Sequence, residues 1–483
     1  MQPKRVIDLL PLFILLDITS SGTVCSAFSQ HLPQLIDAVN EARAYYAENY
    51  GNVSSVTAAN DCRNLYDDSA VRLARLLKDG GLTIGNDDAR AWVTGVLDNH
   101  RSCLYELQDE REGGGGLGGF AAKLNASIIN LLAWLSQRGS MFEGDSHEVS
   151  ETEYNGSLEL WKPETSKAEF VVSKDGSGSH RTINQALQDL AKRGSNRPGR
   201  VVVYVKSGKY HENVEIPRYM RDVMFVGDGM DRTVVTGNRN VVDGSTTYSS
   251  ATFGVSGDGF WARDMTFENT AGPQKHQAVA LRVNSDRSIF YRCSFKAYQD
   301  TLFTHSLRQF YRNCQIHGTI DFIFGNAAAV IQNCDIIIRR PMNHQSNMVT
   351  AQGRGTAYEN TGISIQNSRI LPSPELTPVK GSFRTYLGRP WKEYSRTVVW
   401  KSDLDGVVDQ RGWCEWRDGF ALSTLYYAEY MNTGRGASTI GRVTWPGYHV
   451  LTRPRDVAPF TVSRFIQGQW WIPASGVPVS VFM

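Results

Sequence analysis

Residues 291–336 read Tyr291-Arg-Cys293-Ser-Phe295, then Arg312-Asn-Cys314-Gln-Ile316, then Gln332-Asn-Cys334-Asp-Ile336. The cysteines step by 21 and then by 20 residues. Trp261-Ala-Arg-Asp-Met-Thr-Phe267 and Ile365-Gln-Asn-Ser368-Arg-Ile370 repeat the unit without cysteine. Short strands returning at this period predict a solenoid of β-coils, a parallel β-helix. A β-propeller, the alternative, repeats at about twice that length. A rod of coils buries an apolar stack and presents ladders of side chains outside, which suits a long polymer.

The same period carries the chemistry. Asp300 and Asp321 are 21 residues apart, and Gln277 and Gln299 are 22 apart. Neighbouring parallel strands lie about 4.8 Å apart. The register therefore predicts a stack of Gln277, Gln299-Asp300 and Asp321 on one outer face. Two close carboxylates do not ionise together, so one holds a proton while the other stays an anion. That pair can divide into a proton donor and a nucleophile or base. Two amides beside it can donate to a developing oxyanion. A single Asp would read as a turn residue; two Asp and two Gln in register read as a site for acyl transfer. No Gly-x-Ser-x-Gly elbow, His-Glu-x-x-His or Cys/His zinc spacing occurs.

Around this core the chain divides. Its 483 residues, 41% hydrophobic and 21% charged, exclude a disordered, collagen-like or coiled-coil chain and allow two or three domains. Residues 1–150 hold 12 Lys+Arg against 19 Asp+Glu, net −7, and residues 151–483 hold 39 against 30, net +9. The basic part is compatible with a polyanion, although basic surface is more often only solvated.

Lys4-Arg5, an apolar run from Val6 to Leu16 and small residues at 20–22 have the plan of a secretory signal, taken as residues 1–24. No later run is long enough to span a membrane. Three sequons, at Asn52, Asn125 and Asn155, and seven cysteines fit the same oxidising route. The odd count leaves at least one thiol unpaired if all pairing is internal.

His31–Tyr46, Cys62–Lys78, Asp87–Asp109 and Leu117–Gln137 place apolar residues at helical spacing, predicting a four-helix bundle within 25–142. Residues 143–166 read as a polar linker and 167–483 as the β-helix, with one helix at about Thr182–Lys192.

At the site residues the sequence resembles plant pectin methylesterases. It carries Gly208-Lys-Tyr-His-Glu212, Gln277-Ala-Val279, Gln299-Asp-Thr-Leu302, Asp321-Phe-Ile-Phe-Gly325 and Leu387-Gly-Arg-Pro-Trp391. The resemblance runs from about Ala168 to Gly447. It implies a right-handed parallel β-helix that removes methyl esters from homogalacturonan, the acidic backbone of pectin. It implies Asp321 as nucleophile through an acyl-enzyme, Asp300 as general acid and then base, and Gln299 with Gln277 as transition-state stabilisers. Arg389 would hold Asp321 ionised and lower its pKa.

Thr247 and Trp391 would contact substrate along with Gln277 and Arg389, and Cys314–Cys334 would be a disulfide. No metal or organic cofactor is implied, and no nucleic-acid partner. The enzyme would be a secreted cell-wall monomer that also meets proteinaceous pectin methylesterase inhibitors.

Residues 25–142 resemble an invertase/pectin methylesterase inhibitor through Asp61-Cys62-Arg-Asn-Leu-Tyr-Asp-Asp68 and Asn99-His-Arg-Ser-Cys103. That resemblance implies a Cys62–Cys103 disulfide and an autoinhibitory pro-region. The dibasic processing site usual in the family is missing from Trp134-Leu-Ser-Gln-Arg. A β-helix depolymerase and a non-catalytic binder are the rival classes. The polygalacturonase blocks Gly-His-Gly and Arg-Ile-Lys are absent.

Overall fold

A computed structural model describes residues 24–50, 57–78, 85–109, 118–137, 158–194 and 199–482. Residues 1–23 of the signal segment, Asn52, Asn155 and the 143–157 part of the linker lie outside the described residues.

Each coil turns at a residue forced into left-handed backbone. Arg292, Asn313, Asn333, Asn367 and Lys401 have φ of 49° to 55°. Each precedes Cys293, Cys314, Cys334, Ser368 or Ser402, all buried. Asparagine tolerates that region better than most residues, and a small residue fits inside the corner. The Asn-Cys and Asn-Ser pairs of the repeat are the sequence record of this turn.

Between corners the strands stack in register. Phe267, Phe295, Ile316, Ile336 and Ile370 pair rung by rung. The strands form three parallel sheets of 11, 7 and 8 strands. The apolar stack fills the middle, with Phe290 over Tyr311 (5.1 Å) and Phe267 over Phe295 (5.9 Å). A helix at Ile183–Lys192, capped by Thr182 and Gln185, packs its apolar face onto the first strands. This is the parallel β-helix that the 20-residue period predicts.

The helical region folds as expected, with α1 Val24–Tyr50, α2 Thr57–Lys78, α3 Asn86–Asp109 and α4 Gly118–Gln137. Leu35, Val39, Ala42, Leu65, Val93, Leu97, Leu124 and Leu131 meet in its core. Cys62 and Cys103 are bonded, joining α2 to α3. Among the described residues no helix is long and apolar enough to cross a membrane. Asn125 lies within α4, half-buried, rather than on a loop.

Two expectations fail. Cys314 and Cys334 are free buried thiols, as is Cys293. They occupy equivalent places on adjacent coils, so their Cα–Cβ bonds run side by side rather than toward each other, which does not suit a bridge. Their Sγ atoms lie instead against backbone carbonyls, Cys314 at 3.3 Å from Phe290 O and Cys334 at 3.4 Å from Gln332 O.

The linker also ends earlier than residue 166. Leu158 and Trp161 are buried against the β-helix, and Arg263 donates to the carbonyls of Glu159 and Trp161 at 2.9 Å. Two apolar side chains in a polar run hold that segment down.

Candidate active site

The strand holding Leu302 pairs with the one holding Ile323, which places Asp300 and Asp321 at equivalent corners. Both adopt left-handed backbone, with φ of 64° and 50°. Gln277 bridges Gln299 in parallel register. The predicted stack therefore exists.

Arg389 follows the strand Thr385–Gly388 two coils further on. It grips Asp321 with two bonds, Nε to Oδ1 at 2.8 Å and Nη2 to Oδ2 at 2.6 Å. The Arg389 guanidinium in turn lies 4.3 Å from the centre of the Trp416 ring. Thr247 and Trp391 line the same cavity as the Gln/Asp set. Trp391 lies close on the backbone at Gly353, where a Cβ would meet the ring at 2.8 Å.

The electrostatics separate the two acids. Burial pushes Asp300 well above the usual carboxylate range, and the Asp321 charge adds to it. Burial raises Asp321 as well, while the Arg389 hydrogen bonds and charge pull it down. The expected depression of Asp321 is thus not met in this form, because burial outweighs the cation. The ranking stands: Asp300 keeps its proton more strongly, and Asp321 has the cation.

Part of that burial comes from the helical region. Tyr105 and Glu106 of α3 enter the cavity, and Tyr105 meets the Trp391 ring edge-on at 5.7 Å. About 180 Å³ of space remains, below the ~300 Å³ of small ligand sites. The bundle core continues across the boundary into Tyr248, Val279, Phe303, Phe324 and Ala351.

Polar contacts cross the same boundary. Arg72 binds Asp258 (3.0 Å), Asp88 binds Arg308 (2.6 Å) and Arg101 binds Glu359 (2.9 Å). These pairs run in both directions, so the −7 and +9 totals understate how closely the two parts match. Ser102 Oγ and His305 Nε2 share a 2.7 Å hydrogen bond. Sequence reading missed Tyr105, Glu106, Ser102, His305 and Trp416. The stretch around Asn99 to Cys103 marked the helix but not its placement over the site.

The pectinesterase family model matches residues 169–469. The chain belongs to the pectinesterase family. It is therefore a carboxylic ester hydrolase with a parallel β-helix. A protein of Arabidopsis thaliana named "Probable pectinesterase/pectinesterase inhibitor 36" is 54% identical over 473 residues, covering 92% of this chain and 90% of that one. Pectinesterase 2 of Citrus sinensis is 46% identical, covering 88% and 82%.

Among solved structures, pectin methylesterase from carrot matches with TM-score 0.64 and 53% identity, over 66% of this chain and 98% of its own. The Aspergillus niger enzyme matches with TM-score 0.54 and 28% identity, over 63% and 94%. The carrot chain is nearly all accounted for by two thirds of this pectinesterase.

Proposed function

We propose that this pectinesterase hydrolyses methyl esters of homogalacturonan through an aspartyl acyl-enzyme, and that its helical region inhibits it from within. The observation that carries the reading is the two-bonded Arg389–Asp321 pair beside a proton-holding Asp300. One Asp321 oxygen attacks the ester carbonyl carbon. The oxyanion that forms accepts from the amides of Gln299 and Gln277. Collapse breaks the bond to the methoxy oxygen, which takes the Asp300 proton and leaves as methanol. An anhydride between Asp321 and the substrate remains.

Asp300, now a carboxylate, takes a proton from water, and the hydroxide attacks the substrate carbonyl of the anhydride. Asp321 is released, Asp300 is again protonated, and a galacturonate carboxyl remains. The net reaction is ester plus water to acid plus methanol. Trp391 offers a sugar-stacking face and Thr247 a polar contact at the same cavity. The polyanionic product fits the +9 charge of residues 151–483, and such a substrate places the enzyme in the cell wall by way of secretion.

The inhibitory reading rests on Tyr105 and Glu106 filling the cavity. The bundle resembles the separate proteinaceous inhibitors, and an isolated β-helix would bind those at the same face. The test is methanol release from highly methylated pectin by residues 158–483, with polymer length followed in parallel. Methanol from an unshortened polymer, abolished by Asp321→Asn, is the expected result. A shortened polymer, or full turnover in Asp321→Asn, overturns it.

A further inference from the structure

A loop from outside the coil repeat completes the sheet edge from which Arg389 projects. The strand Thr385–Gly388 is the last of the seven-stranded sheet. Residues 409–414 run along its open side. Asp409 N–H donates to Thr385 O at 2.8 Å, Leu387 N–H to Gly412 O at 2.7 Å and Cys414 N–H to Gly388 O at 3.0 Å. Gly388 and Trp413 pair in parallel register, and Arg389 is the next residue of the chain. The same loop then brings Trp416 against the Arg389 guanidinium, 4.3 Å from the ring centre. The fork on Asp321 is thus steadied by this loop at its backbone and at its face.

What fixes the loop is a buried ion pair. Glu429, on the strand Tyr426–Tyr430, and Arg442 each have side chains only 2% exposed. Arg442 donates to both Glu429 oxygens, from Nε at 2.7 Å and from Nη2 at 3.0 Å. Its other bonds go to backbone outside the strands, Nη1 to Gln410 O at 3.1 Å and Nη2 to Gly436 O at 2.7 Å. Glu429 Oε1 also accepts from Trp413 Nε1 at 3.3 Å and from the Tyr448 hydroxyl at 3.0 Å. Gly412 turns at φ of 71°, and a Cβ there would run into the Arg442 side chain. The turn therefore closes directly over the guanidinium. A buried pair adds little net stability over apolar side chains, because desolvation offsets the attraction. This one ties together three segments that no sheet would otherwise join.

We propose that Glu429 and Arg442 are positioning residues for the reaction: they lock residues 409–416 against the strand Thr385–Gly388 and so keep the Arg389 fork on Asp321. This rests on the acyl-enzyme reading above, in which Asp321 attacks as an anion. Neither residue lines the catalytic cavity, so both act through Arg389. Burial raises Asp321 and Arg389 pulls it down. A loosened fork therefore leaves Asp321 protonated to higher pH, and the acid side of the activity profile moves up.

The test uses the full chain, so that the helical region bears on every variant equally. Arg442→Lys keeps a cation beside Glu429, but one ammonium cannot span Glu429, Gly436 and Gln410. Its acid limb in kcat/KM for methanol release rises by about one pH unit, part of the ~1–3 units an adjacent cation contributes. Cys414, half-buried on the loop, reacts with iodoacetamide about tenfold faster, as loss of a charge-assisted bond in a local opening gives. The buried Cys293, Cys314 and Cys334 keep their rates. Tyr448→Phe removes a bond to Glu429 that does not reach the loop, and changes neither limb nor Cys414 rate. An unmoved acid limb in Arg442→Lys overturns the positioning role. Faster labelling of all four cysteines overturns it too, since the pair then holds the whole β-helix rather than the loop. Full turnover in Asp321→Asn is a different failure, that of the acyl-enzyme reading; the Cys414 rates then still decide whether the pair anchors the loop.

Discussion

Asp300 and Asp321 are the same side chain in the same corner of adjacent coils, yet their neighbours set them apart. Only Asp321 has a guanidinium in two-bonded contact. Catalysis on this account needs Asp321 ionised and Asp300 protonated. The pH profile of kcat/KM is therefore a bell. Activity is lost as pH falls through the Asp321 value and again as pH rises through the Asp300 value. The upper limb lies above the ordinary carboxylate range, since the Asp321 charge raises Asp300 with or without the helical region.

The profile of residues 158–483 measures both limbs, and an upper limb below pH 5 counts against the assignment. Gln299→Ala lowers kcat about 10²–10³-fold, the usual loss of one oxyanion donor, with a smaller change in KM. A loss confined to KM assigns Gln299 to ground-state binding instead. These residues were legible because the coil period converts sequence separation into stacking. Trp416 was not, because its contact with Arg389 depends on a loop that returns from outside the repeat.

At the scale of elements, the coil corners carry the fold. Asn313 and Asn333 sit at φ of 53° and 55°. Asn333→Val places a β-branched residue in left-handed backbone and costs about 1–3 kcal/mol. Urea unfolding of residues 158–483 reads this directly, and a change under 0.5 kcal/mol contradicts the corner assignment. The helices were legible too: apolar periodicity marks α3 and α4 to within one residue, but starts α2 five residues and α1 seven residues late.

The cysteine ladder was not. Spacing showed that Cys293, Cys314 and Cys334 stack, but side chains stacked in register point the same way rather than at one another. Likewise, composition marked 158–166 as linker although two apolar residues anchor it.

At the scale of the whole molecule, the question is how firmly α3 stays in the groove. Asp98 of α3 is buried there, bonded to Asn326 Nδ2 at 2.6 Å and close to the Glu359 charge. Burial and that charge raise it well above the usual value, and burial raises Asp61 too. Raised carboxylates favour the docked state while protonated, so their contribution is lost as pH rises from about 4. His305 acts oppositely. Burial lowers it to about 3, so docking is weakened as pH falls below its free value of about 6.5.

The contribution of Asp98 to docking therefore falls as pH rises above the ordinary carboxylate value of about 4. Asp98→Asn flattens that dependence, as measured by inhibition of residues 158–483 with added helical region. A dependence unchanged in Asp98→Asn removes Asp98 from the account. The sequence pointed to docking through the opposite net charges and the inhibitor resemblance, but not to its contacts, which join residues some 140 to 290 positions apart.

The most direct measurement compares methanol release from highly methylated pectin by the full chain, by the full chain with Tyr105→Ala and Glu106→Ala, and by residues 158–483. The account predicts the slowest release from the unaltered full chain. It predicts an increase of tenfold or more on removing the helical region, and an intermediate rate for the double variant. Equal rates from all three, with Asp321→Asn inactive in each, would keep the esterase but contradict the helical region as its inhibitor.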